Sequence, residues 1–167
     1  KSKLSSELGL SPGQAEDLFE KYHSRVPFVK EMIERTMKKA ADVGHVRTLL
    51  GRKCRFDLWE PSRYGVHRPL PRDEAEREHG KQIRRAFTYK ALNKIIQGSA
   101  ADMTKQAMAD LHDEGITPHI QVHDELDCSF EDKVEKDKIL EIMRNAVKLE
   151  VPVKLDVEEG PSWGQAK

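Results

Sequence analysis

His123, Asp124 and Glu125 stand together between two segments rich in apolar residues, Pro118-His119-Ile120-Gln121-Val122 and Leu126-Asp127-Cys128-Ser129-Phe130. Two adjacent acids in a tight hairpin turn are unusual in that setting, because a buried or half-buried carboxylate pair is costly unless a cation balances it. Carboxylate oxygens suit hard divalent cations, and Mg²⁺ carried with phosphates is the common case. An ordinary solvated turn also accepts Asp, so three residues alone identify no reaction. The segment ahead of them adds a second kind of chemistry. At roughly 100° per residue, a helix puts Lys90, Asn93, Lys94 and Gln97 on one face and Ala91, Leu92, Ile95 and Ile96 on the other. From Lys81 to Lys105 the basic residues Lys81, Arg84, Arg85, Lys90, Lys94 and Lys105 face a single acid, Asp102. Lys and Arg neutralise phosphates, while Asn and Gln bond base edges and sugars. A solvated face of an amphipathic helix has the same composition. So does the surface that would carry the second basic cluster, Arg47, Arg52, Lys53 and Arg55.

The elements that must position these residues are legible in outline. Ser11-Pro12-Gly13-Gln14 has a capping residue, a proline for the first helical position and a glutamine to close a capping box. Pro27 opens a second helix running to about Val43, and Gly44 stops it. His45–Leu49 and Cys54–Leu58 flank the turn Leu50-Gly51-Arg52-Lys53 and predict a short hairpin. Glu60–Gly80, with Pro61, Pro69, Pro71 and mixed charge, predicts a loop. Ile83–Gln97 predicts a helix that Gly98 breaks or bends, followed by a helix over Ser99–Glu114 that Gly115 ends. Two short strands surround the acidic turn. Glu131–Leu149 predicts an amphipathic helix with Val134, Ile139, Leu140, Ile142, Met143 and Val147 inward, and Val151–Val157 alternates as a half-buried strand does. A hairpin and a late strand backed by helices define an α+β fold with an antiparallel sheet.

Composition narrows the class without naming it. The 167 residues suit one domain or a lobe of a larger one. Lys+Arg and Asp+Glu each number 29, so net charge favours no polyanionic partner and local charge must decide. Cys54 and Cys128 have no zinc-type spacing and read as reduced thiols of a cytosolic protein. No run is long and apolar enough for a membrane span, and no signal peptide opens the chain. The first residue is Lys1 rather than Met, as in a segment of something longer.

Four motifs then give a specific resemblance. Asn93-Lys94-Ile95-Ile96-Gln97-Gly98-Ser99-Ala100-Ala101-Asp102 is similar to the N-x-x-x-Q-G-[ST]-A-A-D stretch of family A (DNA polymerase I-like) DNA polymerases. Gln121-Val122-His123-Asp124-Glu125-Leu126 resembles their motif C, Thr48-Leu49-Leu50-Gly51-Arg52 their T-L-x-G-R turn, and Gly160–Ala166 with Trp163 their closing G-x-x-W-x-x-A segment. The order and the approximate spacing are those of the family.

The resemblance implies a polymerase that adds deoxynucleotides to a primer on a template. Two Mg²⁺ ions about 4 Å apart would activate the primer 3′-hydroxyl and steady the leaving pyrophosphate. It implies that Asp124 is a metal ligand, Glu125 its weaker neighbour at the metals, and His123 a contact to the primer end. Asn93 and Gln97 match minor-groove contacts, which are nearly independent of sequence. Lys90, Lys94, Arg84 and Arg85 complete the expected DNA-facing set. Residues 1–44 would be distal fingers helices, 45–82 a hairpin and loop, and 83–167 the palm portion with the motif C hairpin. Primer-template DNA and dNTP would be the partners, in the cytoplasm of a bacterial or phage-infected cell.

The chain also departs from the family pattern. Tyr89 stands where many members have an Arg four residues before the Asn, and Lys167 closes a chain that often ends on His. Ser2–Leu10 resembles only the residues just after the fingers helix. Motif A with the other metal-binding Asp, most of the fingers, the thumb and any proofreading domain lie outside these residues. The chain would therefore be inactive alone and need that segment in cis or as another chain. The alternatives are a non-catalytic DNA-binding module and a single-subunit RNA polymerase relative, whose motif C carries Ser at the position of Glu125.

Overall fold

The computed structural model describes residues 6–63, 65 and 67–166. The first four residues of the Ser2–Leu10 resemblance, and Lys167, fall outside them. The chain divides into two compact units. One holds the described residues up to Arg47 together with Lys53–Lys94, and the other holds Thr48–Arg52 and Ile95 onward.

In the first unit, helix α1 (Pro12–Arg25) begins with the predicted capping box. The Ser11 hydroxyl accepts from the Gln14 N–H at 3.3 Å, and Gln14 Oε1 accepts from the Ser11 N–H at 2.9 Å. Helix α2 (Pro27–Val43) starts on its proline and stops at Gly44, whose left-handed φ of 78° and N–H bonded to the Ala40 carbonyl form a C-cap. Strands β1 (His45–Arg47) and β2 (Lys53–Arg55) pair antiparallel, with Val46 opposite Cys54. Val46 and Phe56 are buried.

The predicted loop over Glu60–Gly80 holds only in its middle, where the described residues between Pro61 and Leu70 carry no helix or strand. Strand β3 (Leu58–Pro61) pairs with β4 (Leu70–Pro71) on one side and with β5 (Ile83–Arg85) on the other, and helix α3 (Arg72–His79) follows β4. The helix lacks an apolar stripe; of its residues only Ala75 is buried. It is supported by charge instead. Asp73 and Glu74 lie in the first turn, Arg77 and His79 in the last, and Arg72 bonds Glu76 one turn on at 2.9 Å. A search for hydrophobic periodicity passes over such a helix. The predicted helix from Ile83 is likewise a strand at first. Phe87 has a left-handed φ of 61°, which a right-handed helix cannot contain, and a 3₁₀ turn (Thr88–Lys90) then leads into the true helix.

Helix α4 (Ala91–Asp113) runs without interruption through Gly98, contrary to the predicted break. In the second unit the turn Thr48–Arg52 is fastened to it. Arg52 Nε and Nη2 lie 2.7 Å from Asp102 Oδ1, Nη2 donates to the Gly98 carbonyl at 2.8 Å, and the Leu49 N–H donates to Ser99 Oγ at 2.9 Å. The turn is closed on itself as well. Thr48 N–H donates to the Arg52 carbonyl, Gly51 N–H to the Thr48 carbonyl, and Arg52 N–H to Thr48 Oγ1, each at 3.0 Å, with Gly51 at φ 87°. Asp102 is buried, and the Thr48 hydroxyl, followed by the Arg52 guanidinium and the Leu50 N–H, holds its carboxyl below the usual carboxylate range against the opposing effect of burial.

Strands β6 (Ile120–Val122) and β7 (Glu125–Asp127) form an antiparallel pair, and helix α5 (Lys133–Asn145) is capped by Asp132, whose Oδ1 accepts from the Glu135 N–H at 2.9 Å. Leu111, Ile116 and Ile139 make the core here, with Leu126, Cys128, Ile142 and Met143 against it. Val134, predicted inward, is 77% exposed. The predicted strand over Val151–Val157 is absent, because no described strand pairs with it and an extended segment without a ladder partner is not a strand. A 3₁₀ turn (Trp163–Gln165) lies near the end.

Two predictions follow from these contacts. A Cβ at Gly44 would lie 2.6 Å from Arg85 Cζ, and the backbone there is left-handed. Gly44→Ala is therefore expected to cost about 1–3 kcal/mol in urea unfolding, from backbone strain and displacement of that arginine. The depressed carboxyl of Asp102 binds its proton less readily in the folded chain than in the unfolded one. Its contribution is complete above the ordinary carboxylate range and is lost as pH falls through the folded value. Asp102→Asn should lower neutral stability by about 2 kcal/mol and flatten the acid limb of a stability–pH curve.

Candidate functional site

The register of the β6–β7 pair, with Ile120 opposite Asp127, Gln121 opposite Leu126 and Val122 opposite Glu125, leaves a loop of His123 and Asp124 alone. Glu125 is a strand residue, so the two acids do not share the turn as predicted. His123 takes a left-handed φ of 52°, while Asp124 does not; among the described residues Phe87 is the one other non-glycine with positive φ. A positive φ at the first position only is the pattern of a two-residue hairpin that normally calls for glycine. An imidazole is held there at some backbone cost, and Gln121 Nε2 pins the bend by donating to the His123 carbonyl at 2.5 Å.

Asp124 and Glu125 are exposed, so the burial argument for a balancing cation does not hold in this structure. Their carboxylates form no hydrogen bond or ion pair with any described residue. Unengaged carboxylate oxygens fit a hard cation such as Mg²⁺. Among the described residues no third His, Cys, Asp or Glu joins them in a metal-holding group, so they offer only part of a coordination shell.

On α4, Asn93 and Gln97 lie one turn apart, both exposed and without a side-chain partner among the described residues. Ile96, predicted on the apolar face, is 53% exposed. The basic residues divide differently. Lys90 sits in the 3₁₀ turn, not in the helix, with Nζ 4.8 Å from the Phe87 ring centroid and 5.6 Å from that of Tyr89. Lys94 turns back onto its own unit, over the Phe56 ring at 4.7 Å and bonded to the Arg55 carbonyl. Arg84 and Arg85 lie on β5 rather than on a helix. Arg84 pairs with Glu60 at 3.0 Å, and Arg85 donates to the carbonyls of Ala41 and Phe56 at 3.1 and 2.9 Å while stacking on Trp59. The pairing of Arg52 with Asp102 is a feature that neither motif announces alone. The signal was present, since Asp102 is the one acid in a basic window and Arg52 closes a motif of its own.

The chain belongs to DNA polymerase family A, whose family model matches residues 1–165. It is 38% identical over 154 residues to a DNA-directed DNA polymerase of Pseudomonas phage M6, covering 92% of this chain and 20% of that protein. It is 37% identical over 172 residues to the thermostable DNA polymerase I of Thermus filiformis, covering 99% of this chain and 19% of the relative. The chain thus spans about a fifth of the curated relatives it matches. A solved structure, the POL domain of Pol1 from M. smegmatis in complex with DNA primer-template and dNTP, aligns with a TM-score of 0.65 and 30% identity over 90% of this chain and 25% of that one.

The strained turn gives a direct test. His123→Gly should leave the folded chain as stable or up to about 1 kcal/mol more stable in thermal unfolding, since glycine carries no left-handed penalty. A clear loss of stability would mean that the imidazole, not the backbone, holds the bend.

Proposed function

We propose that this chain supplies the primer-end portion of a template-directed DNA polymerase, which adds deoxynucleotides to a primer 3′-end by two-metal-ion phosphoryl transfer. The observation that carries the reading is the family match over residues 1–165 combined with an exposed, unengaged Asp124 at the apex of a hairpin. In this reading residues 1–44 belong to the distal fingers and 83–167 to the palm. Primer-template DNA, dNTP and the motif A segment of the polymerase are the partners.

Asp124, with Glu125 beside it, would hold Mg²⁺, which would supply activation of the primer hydroxyl and charge stabilisation at the leaving pyrophosphate. Asp124 holds a ligand oxygen toward it from the turn, and Glu125, one residue into the strand, adds negative charge beside it. His123, fixed by its own backbone and by Gln121, presents a ring to the primer end. Asn93 and Gln97 present amides to minor-groove acceptors, which vary little between base pairs. Lys90, propped by two aromatic rings, and Lys94 offer positive charge to the phosphates. Arg84 and Arg85 stand in the same basic stretch, although Arg85 has committed two of its donors to backbone carbonyls.

In the complete polymerase, Asp124→Asn is expected to cut single-turnover incorporation more than tenfold, a barrier increase above about 1.4 kcal/mol, while primer-template affinity stays close to that of the parent enzyme. Rapid-quench incorporation together with equilibrium DNA binding separates the two. Retention of more than a tenth of the rate would remove Asp124 from the metal site.

A further inference from the structure

We propose that Arg52 is a positioning residue: by bridging Gly98 and Asp102 it fixes the turn of helix α4 that carries Gln97, and so sets how sharply the enzyme distinguishes a matched from a mismatched primer end. The proposal rests on the reading of Gln97 given above.

The geometry supports it from three sides. Arg52 reaches the Gly98 carbonyl, immediately after Gln97, and Asp102 one helical turn later, so a single guanidinium spans that turn. Ser99, between them, receives the Leu49 N–H as a separate point of attachment. Three attachments along one turn resist rotation of the helix about its axis, which a single hydrogen bond would not. The anchor itself is stiff, because Thr48, Leu49, Gly51 and Arg52 all have bonded N–H groups and Thr48 is buried. Gln97, by contrast, is exposed and has no partner of its own among the described residues. Its amide is therefore aimed by the helix turn beneath it rather than by contacts to the side chain. Pair-geometry sensing by an amide needs this, since a misplacement of one ångström is enough to lose a hydrogen bond. Lysine keeps the charge but not the fork, so it cannot reach the Gly98 carbonyl and Asp102 in the same way.

The test is a double-mutant cycle in the complete polymerase, measuring extension from matched and mismatched primers for Arg52→Lys, Gln97→Ala and the double variant. Melting temperatures are recorded for all. Arg52→Lys should lower the matched-to-mismatched ratio by about three- to tenfold, the value of one hydrogen bond, with most of the matched-primer loss in KM for primer-template. In the Gln97→Ala background the same substitution should lower the ratio no further. Asp102→Asn, which keeps a neutral acceptor in place, should fall between the parent and Arg52→Lys. Equal losses of discrimination in both backgrounds, or a lowered melting temperature with discrimination intact, would make Arg52 a structural brace only and overturn the proposal. If Gln97→Ala alone discriminates like the parent, the reading of Gln97 itself fails, and this inference fails with it.

Discussion

A buried carboxylate must be answered. Asp102 is the one acid in a basic stretch, it lies inside the second unit, and an ionised carboxylate there is tolerable only with donors in place. Arg52 brings Nε and Nη2 to Asp102 Oδ1 and also donates from Nη2 to the Gly98 carbonyl. A five-residue turn is thereby bound to the middle of a 23-residue helix. That helix bears the exposed amides at one end and contributes Leu111 to the core beside Ile116 and Ile139 at the other. The acidic hairpin packs on the same core through Leu126. One ion pair thus ties the turn to the helix, and one small core ties the helix to the hairpin.

Part of the chain's charge serves its own architecture. Equal numbers of acids and bases gave no net attraction for a polyanion, and many of the bases turn out to serve the fold. Arg85 satisfies carbonyls and stacks on Trp59, Arg84 neutralises Glu60, and Arg72 and Arg77 line a helix with little apolar surface to bury. Lys90 and Lys94 rest on aromatic rings, an arrangement that holds a cation in place without neutralising it. In the proposed polymerase such cations would meet phosphate already oriented.

Local chemistry was legible in the sequence wherever it was decided locally. The Ser11–Gln14 box, the Gly44 stop and the hairpin around His123 and Asp124 all depend on residues within a few positions of one another. The failures share the opposite character. Helix α3 is held by charge rather than by a stripe, β5 exists because β3 is beside it, and Val151–Val157 keeps a strand's alternation without a partner. The Arg52–Asp102 pair lies 50 residues apart in sequence, a separation no periodicity reports. The acidic turn itself was found by residue type, but its exposure was not, because the apolar residues of the flanking strands suggested more cover than a two-stranded ribbon gives.

The register of that ribbon carries a consequence for how the sequence is free to vary. With Val122 opposite Glu125, only two residues span the bend. Exchanging side chains there leaves the ladder in place, whereas inserting or deleting one residue would shift the pairing by a step and turn every following side chain to the other face. Leu126 would leave the core it packs against and Asp124 would leave the apex. Drift at this point can therefore proceed by substitution but not by change of length, and relatives should differ here in spelling while agreeing in count.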